Sequence, residues 1–147
     1  MDQYESSLAR VCLELGGISC LYEDNVPENF MVPSLYFPPH AVFPSASALG
    51  SYQSSYTIYA KVFAATKREA EELAEKIVQG IMLQKCLIPV FEENGADSGN
   101  VIKLEPPSSK GIDEGMAQIT LTYKIIRVFK ETKYPSVQSV EINKNYD

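Results

Sequence analysis

Hydrophobic and polar residues alternate in two segments of the chain, residues 56–63 and residues 116–129. The apolar residues at every second position are Tyr56, Ile58, Ala60 and Val62 in the first segment and Ile119, Leu121, Tyr123 and Ile125 in the second. Successive side chains of a strand point to opposite faces of a sheet, so this period of two predicts two strands. The second is the longest strand that the sequence predicts.

Apolar residues recur at helical spacing in residues 67–84, between the two predicted strands. Their stripe consists of Leu73, Ile77 and Ile81 together with Ala70, Ala74 and Val78. The preceding TKRE sequence predicts a capping box, in which Thr66 accepts from an amide of the first turn and Glu69 accepts from the Thr66 amide. Gly80 is unfavourable inside a helix, and we interpret it as a point of close packing against the sheet.

The remaining segments give weaker patterns. A shorter helix is predicted for residues 4–15, because Gly16 and Gly17 follow it and glycine readily ends a helix. Short strands are predicted at residues 18–22, 34–37, 86–91 and 101–104. The polar stretches 92–100 and 108–115 predict loops.

Residues 25–54 differ from the rest in composition, since they hold Pro27, Pro33, Pro38, Pro39 and Pro44 among several aromatic residues. Proline supplies no backbone N–H, so this segment is not a run of central strands. Flexible linkers are poor in aromatic residues, which argues for an ordered, extended excursion with one edge strand at residues 34–37.

The order of elements predicts an α+β fold with two layers. We expect an antiparallel or mixed sheet covered on one face by the helix at residues 67–84. Residues 1–131 form the single domain of this prediction. Residues 132–147 are polar and charged and are predicted to be a C-terminal extension, which is either frayed or used to contact another subunit.

Composition narrows the class of protein. The chain has 147 residues, 45% of them hydrophobic, and a formal net charge of -6. This length favours one domain with a real core, and the negative charge disfavours nucleic acid as the main ligand. No apolar run approaches the roughly 20 residues that span a bilayer, so no membrane partner is expected. The N-terminus lacks the basic region of a secretory signal.

Candidate chemistry is sparse. The three cysteines, Cys12, Cys20 and Cys86, lack metal-type spacing, and we interpret them as reduced and mostly buried thiols. The single histidine, His40, lies between prolines without a partner in the sequence, which favours a structural role. The acidic pairs at residues 92–93 and 113–114 are the carboxylates most suited to a hard cation. We therefore predict no catalytic residue, no cofactor and no metal.

The sequence resembles the tail terminator proteins of long-tailed bacteriophages, especially those with contractile tails and the related phage-tail-like particles. The resemblance covers residues 33–129 and is carried by VPSLYFPP, LGSYQSSYTIYAKVFAATKREAEELAEKIVQGIM, CLIPVFEENG and GMAQITLTYKIIRVFK. It implies a small α+β domain that assembles as a hexameric ring. Such a ring caps the tail tube, ends its polymerisation and forms the interface to the neck and head.

The resemblance also implies the partners and the location. These are further copies of the chain, the tail tube protein, the neck and head-tail connector proteins, and the sheath protein in contractile systems, with genome DNA only passing through the lumen. The location is the tail-neck region of the virion, after assembly in the host cytoplasm. The family has no catalytic residues.

A ring subunit needs extended segments that contact its neighbours. The aromatic excursion and the C-terminal extension are the candidates for such contacts. The candidate interface residues are Tyr36, Phe37, Phe43, Tyr52, Tyr134, Val137, Val140 and Ile142.

Two alternatives remain open from the sequence. The first is another neck component, such as a head-tail connector, a stopper or a tail completion protein. The second is a small intracellular enzyme or ligand-binding domain, with a cleft beside Asp113, Glu114 and His40, because sites are often assembled from residues distant in sequence.

Overall fold

In the computed structural model, which describes residues 1–46 and 50–128, two helices pack on a mixed sheet, and a small hairpin lies beside them. The elements in chain order are α1 (Gln3–Gly16), β1 (Leu21–Tyr22), β2 (Ser34–Tyr36), β3 (Ala41–Ala46), β4 (Ser51–Phe63), α2 (Lys67–Leu83), β5 (Leu87–Phe91), β6 (Asp97–Lys103), β7 (Ser108–Asp113) and β8 (Met116–Val128). The predicted α+β class with two layers is confirmed. The predicted extension at residues 132–147 lies outside the described residues.

The two longest strands form the centre of the sheet. β4 and β8 are antiparallel and pair without a register shift from Ser51 opposite Val128 to Phe63 opposite Met116. β7 joins the other side of β8, while β2 and β3 share the free side of β4, one after the other. β1 is parallel to β2. β5 and β6 form a separate hairpin, which touches the main sheet through the Leu104–Tyr123 bridge.

The predicted alternation decides which face of the sheet is covered. The side chains of Ile58, Ala60 and Val62 are fully buried and lie opposite Leu121, Ile119 and Ala117 of β8. α2 packs its predicted stripe against this covered face, with Ala70, Ala74, Ile77 and Ile81 fully buried. The other face, which we call the open face, carries Thr57, Tyr59 and Lys61 of β4.

Both helices begin at a capping side chain. Thr66 Oγ1 accepts from the Glu69 amide at 3.1 Å, so the first half of the predicted capping box is present. A complete box occurs instead at α1, where Asp2 Oδ1 accepts from the Glu5 amide and Glu5 Oε1 accepts from the Asp2 amide. As predicted, α1 ends at a glycine, Gly17, in the left-handed conformation.

The interpretation of Gly80 as a contact with the sheet is wrong. A Cβ atom at this position would lie 2.7 Å from Leu15 Cδ2, so Gly80 faces α1 and not a strand. Both helices lie on the covered face and contact each other there. The absence of a side chain at Gly80 leaves room for the Leu15 side chain against the backbone of α2.

The prediction of a loop at residues 108–115 is also wrong, because residues 108–113 form β7 and pair with β8. The polar and glycine-rich sequence conceals the strand, whose partner is the adjacent end of β8. The predicted excursion contains a second strand, β3, which includes Pro44. β2 is not an edge strand as predicted, since β1 pairs with its other side.

We expect Gly115→Ala to destabilise the fold more than Gly99→Ala. Both glycines have positive φ, 71° and 84°, so alanine costs about 1 kcal/mol at either position. A Cβ atom at Gly115 would also lie 2.8 Å from the Ala64 carbonyl oxygen, whereas nothing lies within 4 Å at Gly99. Urea unfolding should give a loss of about 3 kcal/mol for Gly115→Ala. Equal losses for both variants would contradict the backbone contact.

We expect the three thiols to react at different rates in the folded protein. Burial raises the pKa of Cys12 to about 12, so its thiol stays protonated at neutral pH. Cys20 is half-buried, and Cys86 is buried. Labelling with iodoacetamide followed by peptide mass spectrometry should modify Cys20 first and leave Cys12 intact. Denaturant should remove the difference, and fast native labelling of Cys12 would refute this prediction.

Candidate interaction surface

A three-stranded arm is the part of the sheet that the helices cover least. We define the arm as β3, residues 51–57 of β4 and residues 122–128 of β8. β7 pairs only with residues 116–120 of β8, and α2 contacts β7 and β8 more than β4. β4 and β8 therefore extend beyond the part of the sheet that the helices cover. β3 is the third strand of this extension.

A layer of aromatic rings closes the base of the arm on the covered face. The rings of Tyr56 and Tyr123 stack with centroids 5.2 Å apart, His40 meets Tyr56 edge-on at 5.1 Å, and Tyr4 of α1 lies 6.2 Å from Tyr123. Tyr123 is buried, and its hydroxyl has no hydrogen-bond partner among the described residues. Burial raises the pKa of Tyr123 far above its usual range, and the carboxylates of Asp2 and Glu5 raise it further.

His40 finds its partner in α1. Its Nδ1 atom lies 2.6 Å from Oε2 of Glu5, which is 35 positions away in the chain. This contact joins His40, which directly precedes β3, to the first turn of α1. The predicted structural role of His40 thus acquires a definite form that the sequence could not show.

The same residues form the one group of potential metal ligands found in the described part of the chain. Donor atoms of Asp2, Glu5 and His40 lie within 4.8 Å of one another, and such a mixed set suits a divalent cation. Here Asp2 and Glu5 already accept the amide hydrogens of the capping box, and Glu5 also contacts His40. Helix capping and the histidine contact account for the whole arrangement.

β3 exposes apolar side chains on both faces of the arm. Val42 and Phe43 are 44% and 57% exposed, and they point to opposite faces because they are consecutive in a strand. Neither helix covers them. An exposed edge strand with apolar residues favours pairing with another chain.

The arm also has two edges without a strand partner in the described residues. One is the outer side of β3, which pairs only with β4. The other is the outer side of β8 after Tyr123, where the pairing with β7 and the Leu104 bridge have ended. Unpaired backbone groups along such edges form hydrogen bonds readily with an added strand.

The open face of the sheet carries two lysines close together, Lys61 and Lys110. Lys61 Nζ donates to Gln118 Oε1 at 3.0 Å and to the Tyr59 carbonyl at 2.9 Å. Burial lowers the pKa of Lys61, and the charge of Lys110 lowers it further. The net negative charge of the chain is therefore not spread evenly, since this face holds cations close together.

The structure places the candidate interface residues in different environments. Phe43 is exposed on β3, while Tyr36 of β2 and Tyr52 of β4 are half-buried. Phe37 is 3% exposed and belongs to the core, so its ring is not on the surface of a single chain. The candidates outside the described residues are Tyr134, Val137, Val140 and Ile142. Val42, which is also exposed on β3, was not among the candidates.

The cleft required by the enzyme alternative is not assembled. His40 contacts Tyr56, whereas Asp113 and Glu114 lie at the turn next to Met116, which pairs with Phe63. These two levels are about 23 Å apart along β4. Glu92 and Glu93 are exposed at the turn between β5 and β6. Neither described helix is long and apolar enough to cross a membrane.

Comparisons with known proteins place the chain among relatives from one bacterium. It is 25% identical over 123 residues to the phage-like element PBSX protein XkdJ of Bacillus subtilis (strain 168), covering 84% of each chain. It is 30% identical over 103 residues to the uncharacterized protein YqbJ of the same strain, covering 70% of each chain. No family profile matches the sequence. The chain is thus a homologue of XkdJ and belongs to the protein family that includes YqbJ.

Proposed function

We propose that this chain is a structural protein of a phage or phage-like particle, and that it forms the ring that caps the end of the tail tube. The observation that carries the proposal is the relationship to XkdJ, a protein of the phage-like element PBSX, over 84% of both chains. The more specific role as a tail terminator rests on the sequence pattern of residues 33–129, which resembles that family.

The arm gives the proposal a physical basis. A ring is built from heterologous contacts, in which one side of each subunit meets a different side of the next. Among the described residues, the arm has two different edges without a strand partner, and it exposes Val42 and Phe43. These features suit contacts between subunits better than they suit an isolated monomer in water.

The proposed partners follow from this role. Copies of the chain form the ring, the tube protein and, in a contractile particle, the sheath protein contact one side, and neck or connector proteins contact the other. The ring functions in the tail-neck region of the particle and needs no catalytic group, cofactor or metal.

Assembly tests the proposal directly. We expect the purified chain, alone or mixed with tail tubes, to give rings or capped tube ends in negative-stain microscopy. Deletion of its gene from the phage or phage-like element that encodes it should give overlong tails, because nothing then ends tube polymerisation. Tails of normal length with unattached heads would instead identify a connector or stopper. A strict monomer that never binds tube ends would refute the proposal.

The C-terminal extension supplies a second test. We expect a chain truncated after Tyr134 to keep its melting temperature, because the buried hydrophobic residues that the structure describes all lie between Leu8 and Tyr123. Ring formation should weaken, since the removed residues include Val137, Val140 and Ile142, the apolar residues that we propose contact a neighbouring subunit. Analytical ultracentrifugation of the truncated chain and of the full chain measures ring formation. Undiminished assembly would show that residues 135–147 are not a subunit contact.

A further inference from the structure

We propose that neighbouring subunits join their arms edge to edge, with the outer side of β3 in one copy pairing in parallel with the outer side of β8 in the next. This inference rests on the proposed ring and adds the contact that would close it. The partner is a second copy of this chain, and the bonds are backbone hydrogen bonds between two strands.

The two edges overlap in height along the arm. β3 pairs with β4 from Ala41 opposite Thr57 to Ala46 opposite Tyr52. The same residues of β4 pair on their other side with Thr122 and Arg127 of β8. The Glu105 amide donates to the Thr122 carbonyl and Leu104 bridges Tyr123, so the part of β8 without a partner in the described residues begins at Lys124. The two edges therefore share the levels from Lys124 to Arg127, on opposite sides of the arm.

The strand directions fit a rotational contact. β3 and β8 are both antiparallel to β4, so they run parallel to each other. A neighbour rotated about an axis along the strands presents its β3 to β8 in the same direction. Because the two edges are different, the contact is heterologous, and it produces a ring when the rotation between neighbours closes. A closed ring leaves neither of the two edges unpaired.

The side chains on the two edges also correspond. Phe43 lies opposite Ser55 of β4, which lies opposite Lys124 of β8, so Phe43 and Lys124 share one level on the open face. Phe43 is 57% exposed and Val42 is 44% exposed in the single chain, and a strand placed beside β3 would cover part of both. Pro44 lacks an N–H group, so β3 provides one donor fewer than its length suggests.

Cysteine cross-linking tests the contact. Lys124→Cys and Phe43→Cys are combined in a Cys20→Ser background, so that the remaining native thiols are buried. Adjacent strands bring Cα atoms within the 4.4–6.8 Å that a disulfide requires, so oxidation of assembled rings should give a ladder of covalent oligomers. Phe43→Cys with Ile126→Cys covers a register shifted by two residues on the same face.

Controls separate this contact from chance collisions. Each single cysteine variant should give no ladder beyond the dimer, and neither should Met31→Cys with Lys124→Cys, since Met31 is 65% exposed but lies outside the arm. Rings without a ladder from either Phe43 pair would overturn the edge contact and leave the proposed ring intact. Failure of the unsubstituted chain to form rings, alone or on tubes, would overturn both.

A charge on β3 gives an independent measurement. Phe43→Asp should raise the concentration needed for ring formation by about tenfold or more, because it places a carboxylate in a contact that we expect to be desolvated. Met31→Asp is the matched control and should assemble as the unsubstituted chain does. Both variants should keep their melting temperatures, as both residues are exposed. Equal assembly of the two variants would contradict the proposal.

Discussion

The antiparallel pairing of β4 with β8 is the interaction on which the rest of the structure depends. Both strands have 13 residues and pair along their whole length without a register shift. This pairing brings the two alternating apolar sets to one face, where Ile58 meets Leu121 and Ala60 meets Ile119. A shift by one residue would turn one of these sets toward solvent.

The helices cover only part of the platform that these strands form. α2 lies over the half near Phe63 and Met116, and α1 reaches the Tyr123 level through Tyr4 and through the contact of Glu5 with His40. The aromatic layer lies near the end of the core, with the buried Ser54 and the half-buried Ile125 one level beyond it. Beyond it, backbone pairing with β3 replaces helix packing, which leaves edges and apolar side chains available to a partner.

Much of the fold could be predicted because its signals are local. The apolar stripe of α2, the Thr66 cap and the alternation in β4 and β8 follow from the spacing of neighbouring residues. The strand at residues 108–113 could not be found in this way, since its sequence is polar and its pairing with β8 decides its structure. Gly80 was recognised as unusual, but its contact with Leu15 depends on how α1 crosses α2.

The sequence by itself determined the α+β class, the two central strands and the helix that covers them, because each of these depends on patterns along the chain. Only the tertiary structure decided that His40 contacts Glu5, that Phe37 belongs to the core while Phe43 stays exposed, and that two edges of the arm have no strand partner in the part of the chain that the structure describes. These features depend on which distant segments lie side by side, and the spacing of residues in one segment carries no information about that.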